Sequence, residues 1–151
     1  MTRTAIKNGE LTGAELRSIR ELLGLSPAWL AKHLEIRERE YTRMEQGTRG
    51  SIYRDGEWCD GGRIARSVNA LAEEASDLVE ELVSEYEHMQ PNGTAPALFT
   101  YRTDLDYEEA QYRQGVAYEK QKPVRWHHHI CARVADEVDV RIAYVSLPDE
   151  K

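Results

Sequence analysis

Cysteine is scarce: Cys59 and Cys131 are the only two among 151 residues. Two thiols make no disulfide framework, so a reducing, cytoplasmic compartment is expected. No run of about eighteen apolar residues exists, so neither a membrane-spanning helix nor a membrane partner is expected. The opening stretch, MTRTAIKNGELTG, lacks the apolar core of a signal peptide. Gly-rich phosphate loops, G-x-S-x-G, H-E-x-x-H and C-x-x-C are all missing, and neither cysteine has an obvious base partner. Paired carboxylates such as Asp104-x-Asp106 and Glu108-Glu109 carry little meaning in a chain with 27 acids. Neither an enzyme nor a cofactor is expected. Internal repeats and low-complexity tracts are also lacking.

What is present is charge, distributed unevenly. The chain carries a net −7, which at first argues against nucleic acid. Residues 1–66 hold 12 Lys/Arg and 10 Asp/Glu, whereas residues 67–151 hold 8 and 17, so the halves carry +2 and −9. Such asymmetry suits a protein with one face on DNA and an acidic remainder held away from it. An excess of +2 is small, and strong non-specific affinity is not expected.

Leu11 to Gly50, LTGAELRSIRELLGLSPAWLAKHLEIREREYTRMEQGTRG, reads as three short helices with two tight connections. Thr12 and Glu15 form a capping box at the start of the first. Leu11, Leu16, Ile19, Leu22 and Leu23 fall near a helical repeat, and Gly24 supplies the stop. Ser26 caps the second helix, with Pro27 at its first position, where a missing N–H is harmless. Leu30, Ala31 and Leu34 give its buried side. The third runs over about Arg37 to Gln46, buries Tyr41 and Met44, and ends at Gly47.

This segment is similar to the Xre/Cro/phage-repressor class of helix-turn-helix domains. Leu16, Arg20, Gly24, Leu25, Ser26, Leu30, Ala31, Leu34, Ile36, Tyr41, Met44, Glu45 and Gly47 carry the match, over about forty residues. Two positions depart from the family: Pro27 stands where Gln usually follows the cap, and Glu35 where the turn tends to have Gly. The second predicts a slightly altered turn, at a cost of about 1 kcal/mol. The resemblance implies double-stranded operator DNA as partner and an ion pair, Arg20 with Glu45, linking the first and third helices.

With Tyr41 and Met44 inward, Glu38, Arg39, Thr42 and Arg43 turn outward as candidates for base contact; 38, 39 and 43 match the positions through which the resembled class touches bases. Arginine forks suit guanine O6 and N7, and Glu38 suits a cytosine amino group or the orientation of Arg39. Ser26, Lys32, Arg37, Thr48 and Arg49 are candidates for phosphate contact. The plainer alternative is a solvated face on which Glu35 pairs with Arg39 at i,i+4.

Beyond this unit, residues 51–63 contain three glycines and three acids and read as a loop whose Tyr53 and Trp58 tuck against the helices. From Arg63 to about His88, the spacing of Ile64, Val68, Leu71, Ala75, Leu78 and Leu82 predicts an a/d-type seam. Gln90-Pro91-Asn92-Gly93 breaks it. After that, 97–102 reads as a strand, 106–114 and 125–136 as helices, and 140–145 as a strand. Two strands alone make a marginal sheet, so pairing with a second copy is attractive, with Leu71, Leu78, Leu82, Phe99, Trp126, Ile142 and Tyr144 as candidate dimer contacts. The overall layout also resembles small phage and bacterial regulators such as anti-CRISPR-associated repressors. That likeness rests on Phe99-x-Tyr101-Arg102 and the Trp126-led helix, and no residue role is carried over through it. His127-His128-His129 invites a metal reading, but adjacent helical residues point about 100° apart. Only His127 and Cys131 share a face, too few ligands for zinc, so no metal is expected.

The expected fold is mainly α with a small α+β C-terminal part. It comprises a helix-turn-helix domain (1–62), a long connecting helix (63–90) and a β-α-α-β dimerisation region (97–151). The expected function is a dimeric DNA-binding repressor. The alternatives are an antitoxin that binds a toxin and represses its own operon, and a protein-interaction module with a degenerate helix-turn-helix, suggested by Pro27, Glu35, Glu38 and Glu40.

Overall fold

The computed structural model describes residues 10–47, 53–54, 57–58, 60–89 and 95–145. Thr48, Arg49, the Gln90–Gly93 break and the side chains of Tyr53 and Trp58 lie outside the described residues. The chain is mainly helical, with a small two-stranded sheet near its C-terminus, and divides into two compact units, Met1–Glu74 and Ala75–Lys151. Among the described residues no helix is long and apolar enough to cross a membrane.

The first unit begins with α1, Gly13–Leu22, whose capping box forms as the sequence predicts. The Thr12 amide donates to Glu15 Oε1 at 2.9 Å and the Glu15 amide to Thr12 Oγ1 at 3.1 Å. Gly24 ends it at φ 68°, with the Leu25 amide on the Arg20 carbonyl and the Gly24 amide on the Glu21 carbonyl, a Schellman pair. Leu16, Ile19 and Leu23 are buried, while Leu22 is 43% exposed and faces away from the core. α2, Pro27–His33, is capped by Ser26 Oγ, which accepts from the Trp29 amide at 3.0 Å. α3 is Glu38–Gln46.

The connection between α2 and α3 keeps the left-handed conformation despite lacking glycine. Glu35 stands at φ 60°, with its amide on Lys32 O and the Ile36 amide on Ala31 O at 3.0 Å, the same Schellman pair as at Gly24. The hydrogen bonds hold the geometry, and the residue absorbs the strain. A Cβ in this region costs about 1–2 kcal/mol, against about 0.5–1 kcal/mol for glycine's greater freedom when unfolded. Glu35→Gly is therefore expected to stabilise the chain by up to about 1 kcal/mol, read as a rise of a few degrees in Tm. A fall in Tm would show that the glutamate side chain contributes more than its backbone strain removes.

Residues 53–54 and 57–58 form a small antiparallel hairpin, β1 (Tyr53–Arg54) and β2 (Glu57–Trp58), with Tyr53 opposite Trp58 and Arg54 opposite Glu57. The sequence reading expects only a loop there. Asp55-Gly56, a two-residue hairpin signal, was the clue. α4, Gly61–Glu87, starts two residues before Arg63 because Asp60 caps it: its Oδ1 accepts from the Arg63 amide at 3.1 Å. The a/d seam is corrected. Ile64, Val68, Leu71 and Ala75 are buried as expected, but the stripe continues through Val79, while Leu78 and Leu82 are only partly covered. A straight helix has 3.6 residues per turn, so a 3.5-residue seam drifts off the covered side within a few turns. The unit boundary falls inside α4, so the early turns of this helix belong with α1–α3.

The second unit contains β3 (Ala97–Thr100), α5 (Asp104–Arg113), a turn of 3₁₀ helix (Tyr118–Lys120), α6 (Val124–Glu137) and β4 (Arg141–Tyr144). β3 and β4 pair in parallel, Leu98 with Ile142 and Thr100 with Tyr144, an arrangement that requires the long crossover between them. α5 opens two residues before Asp106 because Thr103 Oγ1 accepts from the Asp106 amide. Asp104, one of the acids without an assigned role, accepts from the Val124 amide at 2.7 Å and so caps α6. Gln111 is buried and bridges to Lys122 both ways, Nε2 to its carbonyl and Oε1 from its amide. Trp126, Ile130, Cys131 and Val134 form the inward side of α6.

Two of the three adjacent histidines lock α6 to the end of β3. His127 Nδ1 lies 2.6 Å from Thr100 Oγ1 and 3.6 Å from Cys131 Sγ, and His128 Nε2 lies 2.6 Å from the Tyr101 carbonyl. Tyr101 and Tyr107 pack on the His127 ring at 5.6 and 5.1 Å. Burial, assisted by the neighbouring His128, pushes His127 down from 6.5 to about 4; burial likewise pushes the Cys131 thiol up to about 11. Between pH 6.5 and 4 the unfolded chain therefore binds a proton at His127 that the folded chain refuses. Stability due to this group is complete above pH 6.5 and is lost as pH falls to 4, by about 3 kcal/mol in all. Urea unfolding across this range is expected to show the loss in the wild type and a flatter profile in His127→Gln. Parallel profiles would refute the assignment.

Candidate nucleic-acid interface

α3 turns about 100° per residue, so its burial pattern determines which side chains face outward. Tyr41 and Met44 are fully buried, and Glu40 is 6% exposed. Glu38, Arg39, Thr42 and Arg43 are all exposed, and Arg39 and Arg43 lie one above the other on a single stripe. Among the described residues neither arginine has an ion-pair partner; the Glu35–Arg39 pair of the plainer alternative does not form. Two like charges thus stand on one open helical face, four residues apart, where planar donor forks can receive an anion or the edge of a guanine.

Two details of the site differ from expectation. The Thr42 hydroxyl donates to the Glu38 carbonyl at 3.0 Å, so its methyl and its acceptor lone pairs, rather than its donor, remain available. Glu40, counted among the acids of a degenerate recognition helix, points inward, 3.7 Å from Arg37. Its charge is therefore off the exposed face, and Arg37, at the N-cap of α3, is drawn toward it. Ser26 and Lys32 are exposed on α2. The Ser26 oxygen already accepts from the Trp29 amide, which leaves its O–H to donate.

The orientation of α3 is held from behind. Arg20 of α1 forks onto Glu45, Nε to Oε2 at 2.5 Å and Nη2 to Oε1 at 3.1 Å, and its Nη1 donates to the Leu25 carbonyl at 2.9 Å. The two side chains are 12% and 10% exposed. Hydrogen bonding to Glu45 raises the Arg20 pKa against the opposing effect of burial. Burial raises the pKa of the adjacent Tyr41 phenol, with Glu45 adding to the shift, so this side of α3 carries one matched ion pair and a neutral phenol.

Contacts that sequence spacing does not reveal complete the support. A Cβ on Gly13 would stand 2.2 Å from the Gly47 carbonyl oxygen and 2.5 Å from that of Glu45. The glycine is thus required by the close approach of α1's start to α3's end. Arg63 donates to the Leu34 carbonyl at 3.1 Å, tying the first turn of α4 to the end of α2. Trp29 and His33 stack at 5.1 Å on α2.

Of the expected dimer contacts, Leu71 and Trp126 are buried in the chain's own units, at 4% and 1% exposure, and are not available to a partner. Their apolar bulk fills the local core first. Phe99, Ile142 and Tyr144 are about half exposed.

The chain matches no protein-family model and no curated protein.

Proposed function

We propose that this chain is a sequence-specific DNA-binding regulator of transcription, acting as a paired repressor on a near-palindromic operator. α2 and α3 serve as a helix-turn-helix, with α3 entering the major groove. The observation that carries this reading is the exposed Arg39–Arg43 stripe, without an ion-pair partner among the described residues, on a helix whose opposite side is clamped by the Arg20–Glu45 fork. Stacked like charges destabilise a free helix, whereas a groove lined with guanine acceptors compensates them. Ser26, Lys32 and Arg37 position the backbone, and Glu38 and Thr42 supplement the base contacts.

One such helix per chain reads one half-site. Two half-sites about 34 Å apart, in successive turns of the major groove, require a symmetric pair. The nearly balanced charge of residues 1–66 supports the same conclusion, since affinity then depends on two copies bound together and not on a strongly basic single domain. Repression follows from occlusion of polymerase. Electrophoretic mobility shift with the DNA upstream of the chain's own gene, near physiological salt, tests the reading. A sequence-dependent shift is expected, and no preference over scrambled DNA would sink it.

A further inference from the structure

The sheet of the second unit has two edges, and they are not equivalent. The Arg141 amide donates to Pro96 O at 2.9 Å and the Val145 amide to Thr100 O at 2.8 Å. Backbone groups alternate sides along a strand, so those of Arg141, Ala143 and Val145 face β3, and those of Ile142 and Tyr144 face away from it. On the other strand, the outward carbonyl of Ala97 is already occupied, accepting from the Tyr86 hydroxyl of α4 at 3.2 Å. Among the described residues no further strand joins the sheet. Among the described residues the open edge is β4, which carries Ile142 and Tyr144 on one face at 45% and 49% exposure; Phe99 of β3, at 52%, pairs with Ala143 and projects from the opposite face.

We infer that β4 pairs antiparallel with β4 of a second copy about a two-fold axis at Ala143, joining two small sheets into one of four strands. Two requirements restrict the register. The outward backbone groups must meet each other, and residues directly opposite must project from the same face. An axis at Ala143 satisfies both. Ile142 then lies opposite Tyr144 of the second copy, twice, in hydrogen-bonded positions that place an aromatic against a β-branched side chain. Ala143 meets its own counterpart in the closer, non-hydrogen-bonded position, where a small side chain fits. An axis at Ile142 also satisfies both requirements, but it makes the two Arg141 guanidiniums diagonal neighbours on one face. With the axis at Ala143 each Arg141 lies opposite Val145 and the like charges separate, so charge disfavours the Ile142 axis, while an axis at Tyr144 would put half of the pairing beyond the end of β4.

The self-complementary edge fits a second copy, and its size sets the strength. A large side chain offers about 150–250 Å² in all, so the two half-exposed residues contribute roughly 200 Å² per copy, below the roughly 800 Å² per partner of a standard interface. The pair is therefore weak and concentration-dependent without DNA. The inference rests on the paired arrangement proposed above.

Cysteine cross-linking of the full chain in a Cys59→Ser background tests it, since Cys131 is buried. Ala143→Cys is expected to give a covalent dimer on mild oxidation, and Ile142→Cys and the parent are expected to give none. Light scattering should show a dimer forming with concentration, and Ile142→Pro, which removes an outward N–H and the β-branched side chain but no hydrogen bond to β3, should weaken it at least tenfold with an unchanged circular dichroism spectrum. A monomeric Ala143→Cys, a cross-linked Ile142→Cys, or a wild type that stays monomeric at high micromolar concentration would each overturn the proposal. If Ile142→Pro unfolds, the cysteine pair still decides. No readout uses DNA, so a cross-linked dimer that ignores the upstream DNA would sink only the regulator reading.

Discussion

Replacing both Arg39 and Arg43 with alanine is expected to abolish specific operator binding while leaving the fold intact. Both side chains are exposed and hold no ion pair among the described residues, so their loss removes nothing from the core. Each bidentate guanine contact contributes about 1–3 kcal/mol of discrimination, and a symmetric pair makes each contact twice. One substitution then removes about 2–6 kcal/mol, a loss of roughly 30-fold to 10⁴-fold in specific affinity. Non-specific binding, dominated by phosphate contacts, should fall much less. Lys32→Ala should behave differently, weakening all sequences alike and reducing the salt slope by about 2, one phosphate contact per copy. Titrations against the operator and a scrambled duplex at several salt concentrations separate the two. Unchanged discrimination in the double variant would remove α3 as the reading element.

Glu45→Ala is expected to be strongly destabilising, although it replaces no apolar core residue. It leaves Arg20, 12% exposed, with only the Leu25 carbonyl and the more distant, exposed carboxylate of Glu21 at 3.9 Å. Breaking a buried pair from one side costs about 3–5 kcal/mol, and the small remaining exposure places this site toward the lower part of that range. The double replacement Arg20→Met with Glu45→Leu should recover most of the loss, because the pair is nearly neutral against apolar residues of similar size. It should not recover all of it, since the Leu25 carbonyl then lacks its donor, at about 1–3 kcal/mol. Urea denaturation of Arg20→Met, Glu45→Leu and the double completes the cycle. Additive losses would show that the fork contributes no coupling. Because Glu45 also fixes the rotation of α3, the single variant should lose operator affinity even at temperatures where it remains folded.

The helix starts and stops were legible from short-range chemistry: Thr12 with Glu15, Ser26 with Pro27, and Gly24 all act as local rules require. The outward set Glu38, Arg39, Thr42 and Arg43 was legible for the same reason, since burying Tyr41 and Met44 leaves the helix one orientation. The direction of Glu40 was not legible, because a charged residue beside the core boundary can point either way; it points inward, 3.7 Å from Arg37. Leu71 and Trp126 were misplaced because an apolar spacing states that a side chain is covered, not whether its own chain or a second copy covers it.

What the sequence determined by itself, then, is the set of locally encoded elements and the faces they bury, since caps, turns and periodicity act within a few residues. Only the tertiary structure decided the rest: that Gly13 admits the end of α3, that β3 and β4 run parallel, and that Tyr86 occupies an outward carbonyl of β3. Those facts depend on atoms brought together from distant parts of the chain, where small differences in approach settle which groups are satisfied, and no spacing along the sequence encodes them.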